Sequence, residues 1–278
     1  MSKVLSDLFS LNGRIAFITG GAGLLGLRHA KALADAGASV ILADILDKEL
    51  VCEKIRQSFA PEITTLLEPL KVDITDPKSL QSARDMILDK YGKIDILVNN
   101  ASWNDTVENR ADSLKSMQFE YYPLELWNRS LAVNLTGTFL TSQIIGGAMV
   151  DRRSGSIINI ASTYGMVAPD QKIYISPEGK RLIYKSPSYS ATKGAVLSLT
   201  RFLASYWGQQ GIRVNALSPG GVENGQEDFF VRNYSARTML GRMAGPCDYE
   251  GAVVFLASDA SAYMTGANLV VDGGWTAW

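Results

Sequence analysis

Seven short apolar runs recur along the chain and constrain its fold more than any other feature. They are RIAFIT (14–19), SVILAD (39–44), EPLKVD (68–73), IDILVN (94–99), GSIINIA (155–161), IRVNAL (212–217) and NLVVDG (268–273). They are rich in Val and Ile, bounded by Gly, Asp or Asn, and too short for helices. Continuous rather than alternating apolarity fits strands buried on both faces. Helical patterns lie between them. Leu24 to Gly37 ends in DAGA, with Gly37 as the C-cap, and Asp76-Pro77 offers a cap and an N1 proline. Phe119 to Met149 and Ser188 to Gln210 read as two long helices. Such alternation implies right-handed crossovers and an α/β fold, a doubly wound parallel sheet of about seven strands with helices on both faces. No linker, repeat or low-complexity segment interrupts residues 1–278, which read as a single domain.

Composition narrows the function classes. At 46% hydrophobic and 20% charged residues the chain can bury a large core, and disorder is not expected. A net charge of −1 attracts neither nucleic acid nor an anionic membrane. Cys52 and Cys247 are the only cysteines and lie far apart, which suggests no disulfide and a reducing compartment. The apolar run in MSKVLSDLFSLNG is too short for a signal peptide, and no run approaches the ~20 apolar residues of a membrane span. A cytoplasmic protein is expected. His29 is the only histidine, and no cluster of His, Cys and carboxylates points to a metal.

Three features carry chemistry. TGGAGLLG (19–26) follows the first run, and Gly21, Gly23 and Gly26 match the GxGxxG dinucleotide fingerprint. Backbone N–H groups of such a turn, with the N-terminus of the helix from Leu24, can hold a pyrophosphate. An ordinary tight turn is the bland alternative. The second run ends at Asp44, eighteen positions after Gly26, where an acid hydrogen-bonds an adenosine ribose and repels a 2′-phosphate. No Arg or Lys sits inside the turn or next to Asp44 in sequence, so NAD is favoured over NADP. Third, YSATK puts Tyr189 and Lys193 one helical turn apart. A phenol of pKa ~10 needs a nearby cation to exchange protons near neutrality. With one, Tyr189 can serve a carbonyl or alcohol oxygen as acid or base.

Together with VDITD, NNAS, VNLTG, INIAS, IRVNALSPGG and FLASDASAYMTGANLVVDGG, in this order, these motifs make the chain resemble the short-chain dehydrogenase/reductase family over nearly its whole length. The resemblance implies a Rossmann-type fold and hydride chemistry on a secondary alcohol or carbonyl. It implies that Tyr189 is the acid/base, that Lys193 lowers its pKa and holds the nicotinamide ribose, and that Ser162 binds the substrate oxygen. Asn134 would anchor a proton-relay water. Gly20, Gly23, Leu24, Leu25, Gly26, Asp44, Asp73, Ile74, Asn100, Ala101, Pro219, Gly220 and Val222 would surround the cofactor. Asn134 and Ser162 also have bland readings, as a helix hydrogen-bonder and a turn hydroxyl. An epimerase or dehydratase using hydride transiently, and a non-catalytic NAD-binding regulator, stay open as alternatives.

The chain departs from the family in three places. Thr19, Gly20, Gly23 and Gly26 match the glycine pattern of extended members, whereas the ending VDGG suits compact ones, in which Leu24 replaces the middle glycine. Ser162 and Tyr189 are 27 positions apart, about twice the family interval, and the stretch from Asn99 to Asn134 is also long. Long loops near 102–122, 166–187 and 221–242 are therefore expected on the substrate side. Lys172, Lys180, Arg181 and Lys185 outnumber Asp170 and Glu178 in the second, which suggests a polar and anionic substrate. ELW, YGMVAPD, ASYWG and VDGGWTAW resemble a bacterial branch tied to flagellin modification and nonulosonic acid surface glycans, implying a sugar or sugar phosphate. A homotetramer is expected. Val196, Leu199, Leu203 and Tyr206 would supply surplus apolar surface, and the Trp275–Trp278 tail a second contact.

Overall fold

The computed structural model describes residues 4–104 and 114–278. The part of the expected 102–122 loop at 105–113 lies outside the described residues. Among the described residues, β1 (Ile15–Thr19), β2 (Ser39–Asp44), β3 (Leu67–Lys71), β4 (Ile96–Asn99), β5 (Gly155–Ile160), β6 (Ile212–Pro219) and β7 (Asn268–Val271) form one sheet in the order β3-β2-β1-β4-β5-β6-β7. Every neighbouring pair is parallel, with Ile15 opposite Ser39, Ala16 opposite Ile96 and Ile157 opposite Val214. Two apolar layers sandwich the sheet. One packs the helices Leu24–Asp35 and Glu250–Ala257 around Ile18, Leu42, Ile96 and Ile158. The other packs Leu80, Ile87, Ile145, Leu203 and Trp207 around Phe17, Leu97, Ile157 and Val214. All strands run the same way, so their C-terminal ends share one edge. The order reverses between β1 and β4, which opens a crevice at that edge.

Several expected boundaries hold for the expected reasons. Asp76 caps the helix Pro77–Tyr91 by accepting from Lys78 N at 2.9 Å, with proline in its first turn. Gly37, at φ +103°, follows the helix Leu24–Asp35 in a conformation that favours glycine. The expected helix Phe119–Met149 is instead broken. Pro123 separates a short 3-10 turn, Phe119–Tyr121, from the helix Leu124–Ser130, because a proline cannot donate into a continuing helix. A π-helical segment, Leu131–Gly137, then leads into Thr138–Ile144. It lets Gly137 pass so close to Ile74 that a Cβ there would lie 2.6 Å from Ile74 Cδ1. β3 ends at Lys71, before the expected Asp73, and Pro69 is tolerated because β3 is an edge strand.

The loops at the functional edge are built structures. Within 166–187, a 3-10 turn spans Gln171–Tyr174, and an antiparallel bridge pairs Ile175 with Arg181 around Gly179, at φ +80°. Within 221–242 lies a helix, Asp228–Ser235. The tryptophan tail departs from expectation. Trp275 is buried within its own chain, stacked on Tyr234 at 4.2 Å between ring centres, with Tyr164 edge-on at 6.5 Å. Only Trp278, 73% exposed, is available to a neighbour. The apolar stripe also differs. Val196 and Leu203 are core residues, whereas Phe202 and Tyr206 stack on each other at 6.0 Å on the exposed face. No helix among the described residues is long and apolar enough to cross a membrane.

Candidate active site

The turn after β1 owes its path to glycine. A Cβ on Gly26 would lie 2.1 Å from Gly20 O, one on Gly21 2.8 Å from Leu42 Cβ, and one on Gly20, itself at φ +60°, 2.8 Å from Ala101 Cα. Gly23 caps the helix Leu24–Asp35 without a side-chain partner, and its Cβ would meet Gly20 O at 3.3 Å. Leu24 is 43% exposed and meets none of these close approaches. The tight positions are thus Gly20, Gly21 and Gly26, and the missing middle glycine leaves the turn intact. Helix and turn form a cradle that side chains would fill, with helix amides at its mouth, which suits a pyrophosphate.

Neighbouring residues lock the cradle. Asn100 Nδ2 donates to Thr19 O (3.1 Å) and Gly20 O (3.0 Å), while Asn100 N and Ala101 N both donate to Thr19 Oγ1 at 3.0 Å. Asp44 Oδ2 accepts from Ala22 N at 3.0 Å and Oδ1 from Leu46 N at 3.2 Å. Its carboxylate is thereby fixed at the end of β2, beside the turn, with lone pairs to offer two ribose hydroxyls. Asp73 Oδ1 accepts from Thr75 N (2.8 Å) and Oγ1 (2.7 Å), and Ile74 is buried next to it. These residues fit a dinucleotide. Lys54, thirty-two positions from the turn, brings its Nζ to Ala22 O at 3.3 Å. Sequence adjacency could not show this cation.

The second half of the site lies beyond β5 and β6. Ser186 caps the helix Pro187–Trp207, accepting from Tyr189 N at 3.4 Å, so Tyr189 sits in the first turn and Lys193 one turn on. The Ser162 hydroxyl and the Tyr189 phenol line the same cleft. Burial pushes the phenol above its usual pKa, with the Ser162 hydroxyl opposing, so Tyr189 holds its proton. Lys193 Nζ lies 5.8 Å from the Tyr189 ring centre and donates to Ile160 O at 2.7 Å. Burial lowers its pKa to about 8, with the charge of Lys185 adding. Asn134 stands one layer back. Its Oδ1 accepts from Trp103 N (2.7 Å), and its Nδ2 donates to Trp103 O (3.0 Å), Ser130 Oγ (3.2 Å) and Thr192 Oγ1 (3.3 Å). The side chain therefore clamps the segment after β4 to the helix bearing Tyr189.

Ser162, Tyr189, Leu25, Pro219, Gly220 and Val222 line one cleft of about 610 Å³. The long loops complete it with Tyr174, Leu182, Ile183, Phe229 and Phe230, and Tyr234 lines its floor, its hydroxyl accepting from Gly221 N at 2.6 Å. Sequence reasoning passed over Tyr234, whose only signal was a helical aromatic spacing with Phe230.

A fold with a glycine cradle at the switch point, Ser162 and Tyr189 in the adjoining cleft and Lys193 buried behind the tyrosine defines a dinucleotide-dependent oxidoreductase. The family model described as enoyl-(acyl carrier protein) reductase matches residues 22–276, and the chain belongs to the short-chain dehydrogenase/reductase family, enzymes acting on CH–OH groups with NAD or NADP. It is 36% identical to a 3-alpha-(or 20-beta)-hydroxysteroid dehydrogenase of Mycobacterium tuberculosis, over 95% of this chain and 90% of that protein. It is 34% identical to a D-threitol dehydrogenase of Mycolicibacterium smegmatis, over 96% and 95%. Among solved structures it resembles a gluconate 5-dehydrogenase from Burkholderia cenocepacia in complex with NADP and tartrate (TM-score 0.81, 31% identity, 98% and 99% covered). It also resembles a short chain dehydrogenase from Leptospira borgpetersenii with bound NAD+ (TM-score 0.81, 32% identity, 99% and 97% covered).

Proposed function

We propose that the protein is an NAD(H)-dependent dehydrogenase/reductase that interconverts a secondary alcohol and a carbonyl on a small polar substrate. The observation that carries this reading is the placement of Ser162 and Tyr189 in one cleft, with the Lys193 ammonium buried behind the Tyr189 ring and Leu25, at the end of the glycine turn, in the same lining. A bound nicotinamide would supply or accept the hydride. Tyr189 gives its phenolic proton to the carbonyl oxygen in reduction and takes it back in oxidation. Ser162 orients that oxygen with its hydroxyl, which shares the cleft with the phenol. Lys193 stabilises the phenolate that forms and would hold the ribose of a bound nicotinamide. Asn134 positions the helix carrying both. Asp44 binds the adenosine ribose and disfavours a 2′-phosphate, which supports NAD over NADP; Asp73 and Ile74 border the adenine.

Two relatives, the threitol dehydrogenase and the gluconate dehydrogenase, bear names of polyol and sugar-acid chemistry, which supports a polyol or sugar acid as substrate class. A surface-glycan sugar falls within that class and rests on the sequence motifs alone. The exposed Phe202–Tyr206 pair and Trp278 support assembly as a homotetramer, which light scattering at micromolar concentration checks against a monomer. Free Cys52 and Cys247 suit a reducing cytoplasm.

The test is Tyr189→Phe. Loss of general acid catalysis should cut kcat 10²–10⁴-fold while NADH affinity stays near that of the wild type. A variant keeping most of its kcat would remove Tyr189 from the mechanism. Turnover without net NADH change would indicate transient hydride transfer, as in an epimerase. NAD binding with no turnover of any alcohol or ketone would indicate a regulator.

A further inference from the structure

Of the four cations in the 166–187 loop, the fold delivers one to the reacting groups. Arg181 donates to Gln171 O at 2.6 Å and covers the Tyr184 ring at 4.5 Å, and neither Lys172 nor Lys180 borders the cleft. Lys185 does border it, with Nζ 4.2 Å from the Tyr189 ring centre and 3.0 Å from Asn104 Oδ1. Its backbone is gripped at both ends by one side chain. Lys185 N donates to Gln171 Oε1 at 2.9 Å, and Gln171 Nε2 donates to Lys185 O at 3.1 Å. The next residue, Ser186, is the helix cap that sets Tyr189. The inserted loop therefore closes on Lys185 and holds it in register with the catalytic tyrosine.

We propose that Lys185 is a specificity-determining residue that binds a carboxylate of the substrate, next to the carbon whose oxygen Tyr189 serves. The assignment deepens the dehydrogenase reading and rests on it. The walls around it are mostly aromatic and aliphatic, and among the described lining residues only Lys185 and Glu227 are charged. Glu227 would repel an anion, so Lys185 decides where one sits. An ammonium offers three N–H donors, and a charge-assisted bond inside a cleft is stronger than one in open water. With Nζ over the tyrosine ring, a carboxylate on Lys185 and an oxygen on Tyr189 belong to adjacent carbons of one molecule, or to carbons one apart. The favoured substrate is then a small hydroxy or keto acid with its carboxylate beside the reacting carbon. Remote binding energy of this kind fixes the reacting carbon for transfer.

The probes are tartrate and threitol, four-carbon compounds that share two secondary hydroxyls and differ by carboxylates in place of terminal CH₂OH groups. Their affinities for the enzyme–NADH complex are measured by calorimetry, and their oxidation with NAD by absorbance. The wild type should bind tartrate more tightly than threitol. Lys185→Met should lower the tartrate-to-threitol affinity ratio at least tenfold, and Lys185→Arg, which keeps the charge, should preserve most of it. An unchanged ratio in Lys185→Met, or a wild type with no preference for tartrate, would overturn the assignment. Failure of the dehydrogenase reading looks different: the Lys185-dependent tartrate preference would be present, but neither probe nor any other secondary alcohol would reduce NAD.

Discussion

Gly26→Ala should damage cofactor binding far more than the same one-carbon change at Gly23. The added Cβ would stand 2.1 Å from Gly20 O and 3.0 Å from Asn100 Nδ2. An unbonded carbon and oxygen need roughly 3.2 Å or more, so one must move by about 1 Å. Neither is a flexible side-chain tip: Gly20 O is backbone, and Asn100 Nδ2 is bonded to Thr19 O and Gly20 O. Forcing an extra carbon into such a site costs about 1–3 kcal/mol. If that strain displaces the cradle, NADH affinity falls by about 5- to 150-fold. Gly23→Ala meets Gly20 O only at 3.3 Å and should weaken NADH binding several-fold less. Leu24→Gly, at an exposed position, should cost about 1 kcal/mol of helix stability and should not tighten NADH binding. Quenching of protein fluorescence by NADH reads all three, with thermal melts to separate folding from binding. Wild-type affinity in Gly26→Ala, or a large gain in Leu24→Gly, would refute this account of the turn.

Two further outcomes follow from ionisable side chains. His29 is buried, with neither ring nitrogen bonded among the described residues, and burial lowers its pKa to about 4. The unfolded chain binds that proton from pH 6.5 downward while the folded chain does not, so stability is full above 6.5. It falls by about 3 kcal/mol as pH drops to 4; urea unfolding of His29→Leu across this window should show a flatter slope than the wild type. Asp44→Ala should narrow the preference for NAD over NADP by removing the acid fixed beside the turn, with the Lys54 ammonium left nearby. Paired KM values for the two cofactors check this, and an unaltered preference would exclude Asp44 as its source.

Much of this was legible because it is local. β1, β2, β4, β5 and β6 announce themselves by apolar runs, since a strand buried on both faces must be apolar throughout. The Tyr189–Lys193 pairing follows from helical spacing alone. What was not legible depends on distant contacts. The break in the expected 119–149 helix reflects Pro123 and the approach of Gly137 to Ile74. Trp275 looked like a tail for a neighbour, yet it finds Tyr234 and Tyr164 in its own chain. The loop charges looked like a field of four, but Gln171 and the Tyr184 ring engage Arg181, and only Lys185 borders the cleft. The Ser162–Tyr189 pair, 27 positions apart, was visible through family motifs and not through any spacing rule.

The central claim is that this cleft moves a hydride between a nicotinamide and a substrate carbon while Tyr189 handles the proton. The most direct test uses NADH deuterated at nicotinamide C4, in each stereochemical form, with a panel of small keto acids and ketoses, and product analysis by mass spectrometry. Deuterium is expected on the carbinol carbon of the product from one of the two forms, one label per NADH consumed, with labelling slowed 10²–10⁴-fold in Tyr189→Phe. Product formed without label from either form, or labelled at the wild-type rate by the Phe variant, would contradict the claim.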